Sequence, residues 1–61
     1  MHYYILAFYG LNLAPLTYES DQKLEKFQGV KASLRGKILT AFVLKETSKP
    51  EFKTSKILEI L

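Results

Sequence analysis

GVKASLRGKILTAFVLKE, residues 29–46, is the stretch that decides the predicted fold of this chain. Apolar and polar residues alternate over Val30–Arg35, which is the period of a strand with one buried face. Gly36 follows, and glycine permits a tight reversal at little steric cost. Ile38–Leu44 is almost entirely apolar, so we expect a second strand that is buried on both faces. The stretch therefore predicts a β-hairpin with three residues at its tip, Arg35, Gly36 and Lys37.

Three other segments have the composition of strands. His2–Tyr9 predicts a first strand, with Tyr4, Leu6 and Phe8 on one face and Tyr3, Ile5, Ala7 and Tyr9 on the other. Leu16–Tyr18 predicts a short strand after Pro15, and Lys56–Leu61 predicts the last strand. Because the strands are short and mostly joined as hairpins, we expect a mainly β fold. Its form would be a small, strongly curved antiparallel sheet or a partly open barrel of about five short strands, with at most one helical turn.

The two longer connections are predicted to be loops. Ser20–Gly29 has the caps of a two-turn helix, but isolated helices of that length are marginal in water. We expect a loop there, with Leu24 and Phe27 anchored in the core. Thr47–Ser55 is polar with a central proline, so it predicts a surface loop. Phe52 within it is either a core anchor or an exposed stacking group, and burial of phenylalanine in general favours the anchor.

Length and composition limit the classes of protein that the chain can belong to. Its 61 residues allow one small domain, and the absence of cysteine excludes disulfides and thiolate metal sites. His2 is the only histidine, so a structural zinc site is not expected. Residues 1–14 lack the basic start and the cleavage site of a signal peptide, which makes a cytoplasmic protein the expectation. The apolar ending at Leu61 suggests a domain cut from a longer chain.

Basic residues are concentrated in the second half of the chain. Residues 31–56 contain seven Lys or Arg against two Glu, whereas residues 1–30 contain two Lys against three acidic residues. Such an asymmetry favours a polyanionic partner, of which nucleic acid is the commonest. The alternative is that the lysines only keep a small domain soluble.

Groups that carry out catalysis are missing from the sequence. Neither a GxxxxGK[ST] nor a GxGxxG phosphate loop is present. No serine has a histidine placed to activate it, and the carboxylates are scattered through predicted loops. We therefore expect a binding domain and no enzymatic activity.

The order of short motifs along the chain resembles that of a known domain. Residues 15–18 are PLTY, residues 29–37 are GVKASLRGK, residues 38–44 are apolar, and residues 56–61 are KILEIL. In this order and spacing they resemble the N-terminal 3′ DNA-binding domain of the primosomal replication-restart helicase family PriA (primosomal protein N′). The resemblance covers the whole chain. Thr17 stands where the family has an acidic residue, and the closing segment is one residue shorter between Lys56 and Glu59.

The resemblance implies that residues 1–61 are a single, non-catalytic 3′ DNA-end-binding domain of a larger ATP-dependent DNA helicase. Such a domain binds the free 3′-OH end of the nascent leading strand at stalled replication forks or D-loops, independently of sequence. The implied partners are DNA and, through the parent protein, single-stranded-DNA-binding protein and primosome proteins. The isolated domain is expected to be a monomer. No cofactor is expected in this chain, since ATP and zinc would belong to other domains of the parent.

The family's pocket for the terminal nucleotide corresponds here to seven residues, Leu16, Thr17, Tyr18, Arg35, Gly36, Lys37 and Lys56. By the resemblance, Leu16 would pack on the terminal sugar or base, and Gly36 would let the backbone approach it. The hydroxyl of Thr17 would meet the 3′-OH. Lys56 would neutralise phosphate together with Arg35 and Lys37.

Two other kinds of binding domain share part of this pattern. Gly29–Val43 also resembles the basic hairpin of KOW-type, SH3-like RNA-binding modules, although that motif has a glycine where Ala41 stands. The third reading is a protein–protein interaction domain that uses a sheet edge or the apolar group Tyr3, Tyr4 and Phe8.

Overall fold

Five strands form in the computed structural model, which describes all residues from 1 to 61. They are β1 (His2–Phe8), β2 (Leu16–Ser20), β3 (Gly29–Leu34), β4 (Lys37–Thr47) and β5 (Ser55–Ile60). Each strand was predicted, and β3 and β4 form the expected hairpin. No segment is helical, so no helix is present that could cross a membrane.

The sheet closes on itself in the order β1-β2-β5-β3-β4, with β4 returning to β1. The predicted fold class, a small, strongly curved, mainly β domain of about five short strands, is confirmed, but the barrel is closed where a partly open one was expected, and its sheet is mixed where an antiparallel one was expected. Four of the neighbouring pairs are antiparallel, and the pair β2–β5 is parallel. This pair, which we call the β2–β5 seam, consists of Tyr18 opposite Ser55 and Glu19 opposite Lys56. It is the shortest joint of the barrel.

Two bulges supply the curvature that lets so few strands close. Ile5 pairs with Lys45 while Leu6 pairs with Val43, so Leu44 has no partner on β1. A similar shift between β3 and β5 leaves Leu58 unopposed. An extra residue on one strand bends that strand and increases its twist, which is how a short sheet can turn through a full circle.

The core lies inside the barrel. Tyr4, Leu6 and Phe8, which the alternation of β1 placed together on one face without saying which face is buried, point inward. They pack with six further buried residues, Tyr18, Leu24, Val30, Ala32, Ala41 and Val43. Leu24 closes one end of the barrel, where its amide donates a hydrogen bond to the phenol oxygen of Tyr4 at 2.7 Å. The predicted role of Leu24 as a core anchor is thus confirmed.

Three predictions about apolar residues are wrong. Phe27 is 64% exposed, because its amide donates to the carbonyl of Val43 and its φ of +68° turns the side chain outward. Phe52 is 62% exposed and is not a core anchor. The second hairpin strand is not buried on both faces, since Ile38 is 66% exposed. A barrel has one interior, and no second layer covers the outer face of β4.

The directions of the strands determine at which end of the barrel each connecting segment lies. β1 and β3 finish at one end, and β2, β4 and β5 begin there. We call this the hairpin end, since it carries the β3–β4 turn. Residues 9–15 also lie there, and residues 48–54 arrive there from the opposite end. All seven predicted site residues, including Lys56 as the second residue of β5, are therefore at or next to this end.

Candidate nucleic-acid interface

The β3–β4 turn contains two residues, Arg35 and Gly36, between the paired residues Leu34 and Lys37. Both have positive φ, +52° and +79°, which is the geometry of a type I′ turn. That turn matches the right-handed twist of the flanking strands, so the hairpin is held in register. A Cβ added at Gly36 would meet no atom within 4 Å. The tip is therefore open to solvent, and it presents two cations on a rigid turn.

A first cleft lies beside β2, and we call it the terminal cleft. Its volume is about 280 Å³, and it is lined by Pro15, Leu16, Thr17, Tyr18, Phe52, Lys53, Thr54 and Ser55. One wall is the start of β2 and the other is the chain that leads into β5. The parallel pairing of Tyr18 with Ser55 brings these two walls together.

Tyr18 is the buried support of the terminal cleft. Its side chain is 4% exposed and lies inside the barrel, with its ring centre 5.7 Å from that of Phe8. Its hydroxyl donates a hydrogen bond of 2.5 Å to the carbonyl oxygen of Ser33. Burial raises the pKa of the Tyr18 phenol above its ordinary value. The predicted site residue Tyr18 therefore fixes the wall of the cleft from behind and is not itself a free surface for a ligand.

The terminal cleft is rich in hydroxyl groups and has a carboxylate next to it. Thr17, Thr54 and Ser55 all line it. Thr54 donates its hydroxyl proton to a carboxylate oxygen of Glu19 at 2.5 Å. A neutral polar group therefore finds several possible hydrogen-bond partners here, whereas an additional anionic group would lie close to the charge of Glu19.

A second cleft opens on the other side of the turn, and we call it the leucine cleft. Its volume is about 320 Å³, and it is lined by Leu11, Asn12, Leu13, Leu34, Arg35, Lys37 and Leu39. Four leucines and one amide thus stand beside two cations. Leu11 and Leu13 are 43% and 41% exposed, so the apolar lining is accessible to a ligand.

The cations of these two clefts have no acidic partner. The one pair of oppositely charged side chains is Lys56 with Asp21 at 3.4 Å, and His2 is hydrogen-bonded to Glu46 at 3.2 Å. Arg35, Lys37 and Lys53 therefore keep their charge available for an anion. The largest cleft of the chain, about 430 Å³, lies at the opposite end, and Asp21 and Glu59 are its only charged lining residues. Of the three clefts, the two with basic residues in their walls are both at the hairpin end.

The structure divides the predicted site residues between two clefts, so they do not form one pocket, and Gly36 and Lys56 line neither cleft. Leu16, Thr17 and Tyr18 line the terminal cleft, and Arg35 and Lys37 line the leucine cleft with Gly36 between them in sequence. Lys56 lines neither cleft, and its ammonium group lies beside Asp21 on the far side of the β2–β5 seam.

The predicted site lacked five residues of the terminal cleft, Pro15, Phe52, Lys53, Thr54 and Ser55. Phe52, Lys53 and Thr54 come from the loop before β5. No local pattern marks this loop as part of the cleft, since only the pairing of β2 with β5 brings it beside Leu16.

No group of three or more His, Asp or Glu side chains is arranged as metal ligands would be. The chain matches no protein-family model, no curated protein and no solved structure, so its description rests on its own residues and geometry.

Proposed function

We propose that this chain binds the 3′ end of a single DNA strand, independently of sequence, and serves as the targeting module of a replication-restart helicase. The observation that carries the proposal is the arrangement of the hairpin end. There the terminal cleft, which holds Leu16 and Thr17, stands at the same end of the barrel as the Arg35–Gly36 turn.

The terminal cleft is suited to one nucleotide at the end of a chain. Its volume of about 280 Å³ lies just below the usual range for ligand pockets, about 300–1,000 Å³. Leu16 and the exposed ring of Phe52 offer apolar surface on which a base or a sugar can stack. Stacking of this kind accepts every base, which suits binding that is independent of sequence.

Preference for a free 3′-OH follows from the polar groups of the same cleft. The hydroxyls of Thr17 and Ser55 can donate to or accept from a sugar hydroxyl, and the hydroxyl oxygen of Thr54, whose proton is donated to Glu19, can accept from it. A terminal phosphate would instead bring negative charge toward Glu19, which is bound to Thr54. The cleft therefore favours an end that is neutral.

Phosphates further along the strand would meet the unpaired cations. Lys53 lies in the wall of the terminal cleft. Arg35 lies in the β3–β4 turn, and Lys37 directly follows the turn. Contacts of this kind position a strand without reading its bases. They also supply an affinity that falls as salt is raised.

The proposal is tested by fluorescence anisotropy with 5′-labelled oligonucleotides that differ only at the 3′ end. We expect DNA with a 3′-OH to bind at least about fivefold more tightly than the same strand with a 3′-phosphate, which equals about 1 kcal/mol of discrimination. Equal affinities for the two ends would refute end recognition. Tighter binding of RNA of the same sequence would refute the choice of DNA.

A further inference from the structure

The proposed function uses the two cations of the leucine cleft but leaves its apolar lining without a role. This cleft is slightly larger than the terminal cleft, about 320 Å³ against about 280 Å³, and its lining is more apolar. Arg35 and Lys37 stand in its wall without acidic partners. A ligand that suits it has a flat apolar part and an anionic part attached to that part.

The two clefts share one stretch of chain. Leu13 lines the leucine cleft and Pro15 lines the terminal cleft, so only Ala14 separates them. Two residues of extended chain span at most about 7 Å. A nucleotide step along a stacked strand is about 3.4 Å and becomes longer when the strand is unstacked, so neighbouring nucleotides can reach neighbouring clefts.

We infer that the leucine cleft is a second nucleotide subsite, which takes the base of the penultimate nucleotide while the terminal nucleotide occupies the terminal cleft. This inference rests on the proposed function, since the register of the strand is set by its 3′ end. The base lies on the leucine side chains, and the phosphate between the two nucleotides faces Arg35 and Lys37. The minimal ligand is therefore a dinucleotide.

The chemistry of the lining explains why a base and not the backbone enters this cleft. Leu11, Leu13 and Leu39 offer no hydrogen-bond partner to a sugar or a phosphate. The face of a base needs no hydrogen-bond partner. Asn12 is the only neutral polar side chain of the lining, so a single amide is available to the base edge and discrimination among bases should be weak.

The test uses the 61-residue chain and DNA strands with one abasic position. Removing the second base from the 3′ end should weaken binding about tenfold, within the range for loss of one stacked base, whereas removing the third base should change it less than about twofold. Among short thymidylates, the dinucleotide should bind about tenfold more tightly than the mononucleotide, with smaller gains for each further residue.

A pair of matched variants assigns the effect to the cleft. Leu13→Ser should weaken binding of normal DNA about fivefold and leave binding of the strand abasic at the second position unchanged. The control is Leu58→Ser, since Leu58 is 54% exposed and lies in the lining of the opposite cleft. It should alter neither affinity.

The outcomes separate this inference from the proposed function. Preference for a 3′-OH together with equal losses for abasic second and third positions would overturn the penultimate subsite alone. Loss of the 3′-OH preference, with no dependence on which position is abasic, would overturn both. If Leu13→Ser weakened binding of normal and abasic DNA equally, the inference that a base occupies the leucine cleft would also be overturned.

Discussion

The hydroxyl of Tyr18 donates to the carbonyl oxygen of Ser33 at 2.5 Å and so ties β2 to β3, two strands that are not neighbours in the sheet. The bond passes from the wall of the terminal cleft to the strand that leads into the Arg35–Gly36 turn. The two parts of the candidate interface are thereby held in a fixed relation by one buried phenol.

Replacing Tyr18 by phenylalanine tests this tie. Loss of the hydroxyl leaves the Ser33 carbonyl without this donor, and we expect the free energy of unfolding to fall by about 1 kcal/mol. Urea titrations followed by circular dichroism measure the change. Tyr9→Phe is the matched control, since Tyr9 is 69% exposed and should lose little. Equal losses in the two variants would contradict the assigned role of the bond.

The same phenol gives the domain a dependence on alkaline pH. Burial raises the pKa of Tyr18 in the folded state, so above about pH 10 the unfolded chain loses this proton more readily than the folded one. The contribution of Tyr18 to stability is therefore complete below that pH and is lost as the pH rises above it. The slope of stability against pH between about 9.5 and 11 should be smaller for Tyr18→Phe than for the unaltered chain.

The β3–β4 turn contains a residue under strain. Arg35 has a φ of +52°, a conformation that asparagine tolerates better than arginine. Arg35→Asn should raise the free energy of unfolding by about 0.5 kcal/mol while weakening DNA binding, since it removes a cation from the leucine cleft. A gain in stability with unchanged affinity would show that Arg35 does not contact the ligand.

Substitution of Gly36 should lower the stability of the domain through backbone conformation alone. Gly36→Ala should cost about 1 kcal/mol of stability, because φ is +79° although the added Cβ would meet nothing. The control is Gly29→Ala, where the new Cβ would make an ordinary contact with Leu61 at 3.6 Å and φ is not positive. Its expected effect is within about 0.5 kcal/mol. Thermal melts of the two variants provide the comparison.

Burial in the barrel can be tested with two substitutions by the same residue. Val30→Thr places a hydroxyl in the core, where Val30 is fully buried, and should cost about 2 kcal/mol. Ile38→Thr acts on a side chain that is 66% exposed, and should change the free energy of unfolding by less than about 0.5 kcal/mol. A large loss at Ile38 would mean that the outer face of β4 is covered.

The sequence pattern predicted the hairpin and the sorting of β1 into two faces, because both depend on short-range periodicity, but it did not say which of these faces points inward. It could not predict which face of β4 is covered, since an apolar strand has the same composition whether one layer or two surround it. Phe27 was misjudged because its direction depends on a backbone hydrogen bond to Val43 on a distant strand. The β2–β5 seam joins segments far apart in the chain, and it has no local signal.

The candidate site was predicted in part. Leu16 and Thr17 were assigned to the site through the resemblance. The turn at Gly36 was predicted because glycine permits a tight reversal. Lys56 was chosen because it opens the last strand, but its side chain turns toward Asp21. The cation of the terminal cleft is Lys53, and only the spatial pairing of β2 with β5 brings it next to Leu16.

Alanine substitutions at three lysines test whether Lys53 or Lys56 is the cation that contacts DNA. Lys53→Ala should weaken binding about threefold to tenfold, whereas Lys56→Ala and Lys45→Ala should each change it less than about twofold. The logarithm of affinity against the logarithm of salt should have a slope of about −2 for the unaltered chain, and Lys53→Ala should reduce its magnitude by about 0.7. A larger loss at Lys56 would restore the assignment made from sequence.

Glu19 should determine the discrimination between chain ends. Glu19→Gln retains an oxygen that can accept the Thr54 hydroxyl but removes the charge. We expect tighter binding of 3′-phosphorylated DNA and little change for DNA with a 3′-OH, so the ratio of the two affinities falls toward one. The control is Glu59→Gln, in the lining of the opposite cleft. A ratio that stays constant in Glu19→Gln would show that charge does not set the preference.

The β2–β5 seam holds through only two residue pairs, and the walls of the terminal cleft are the chain segments on either side of it. In the proposed complex, a nucleotide between Leu16 and Phe52 would contact both segments and so stabilise the shortest joint of the barrel. When the seam opens in the unliganded domain, the backbone groups of β2 and β5 become unpaired sheet edges, and aggregation should begin there.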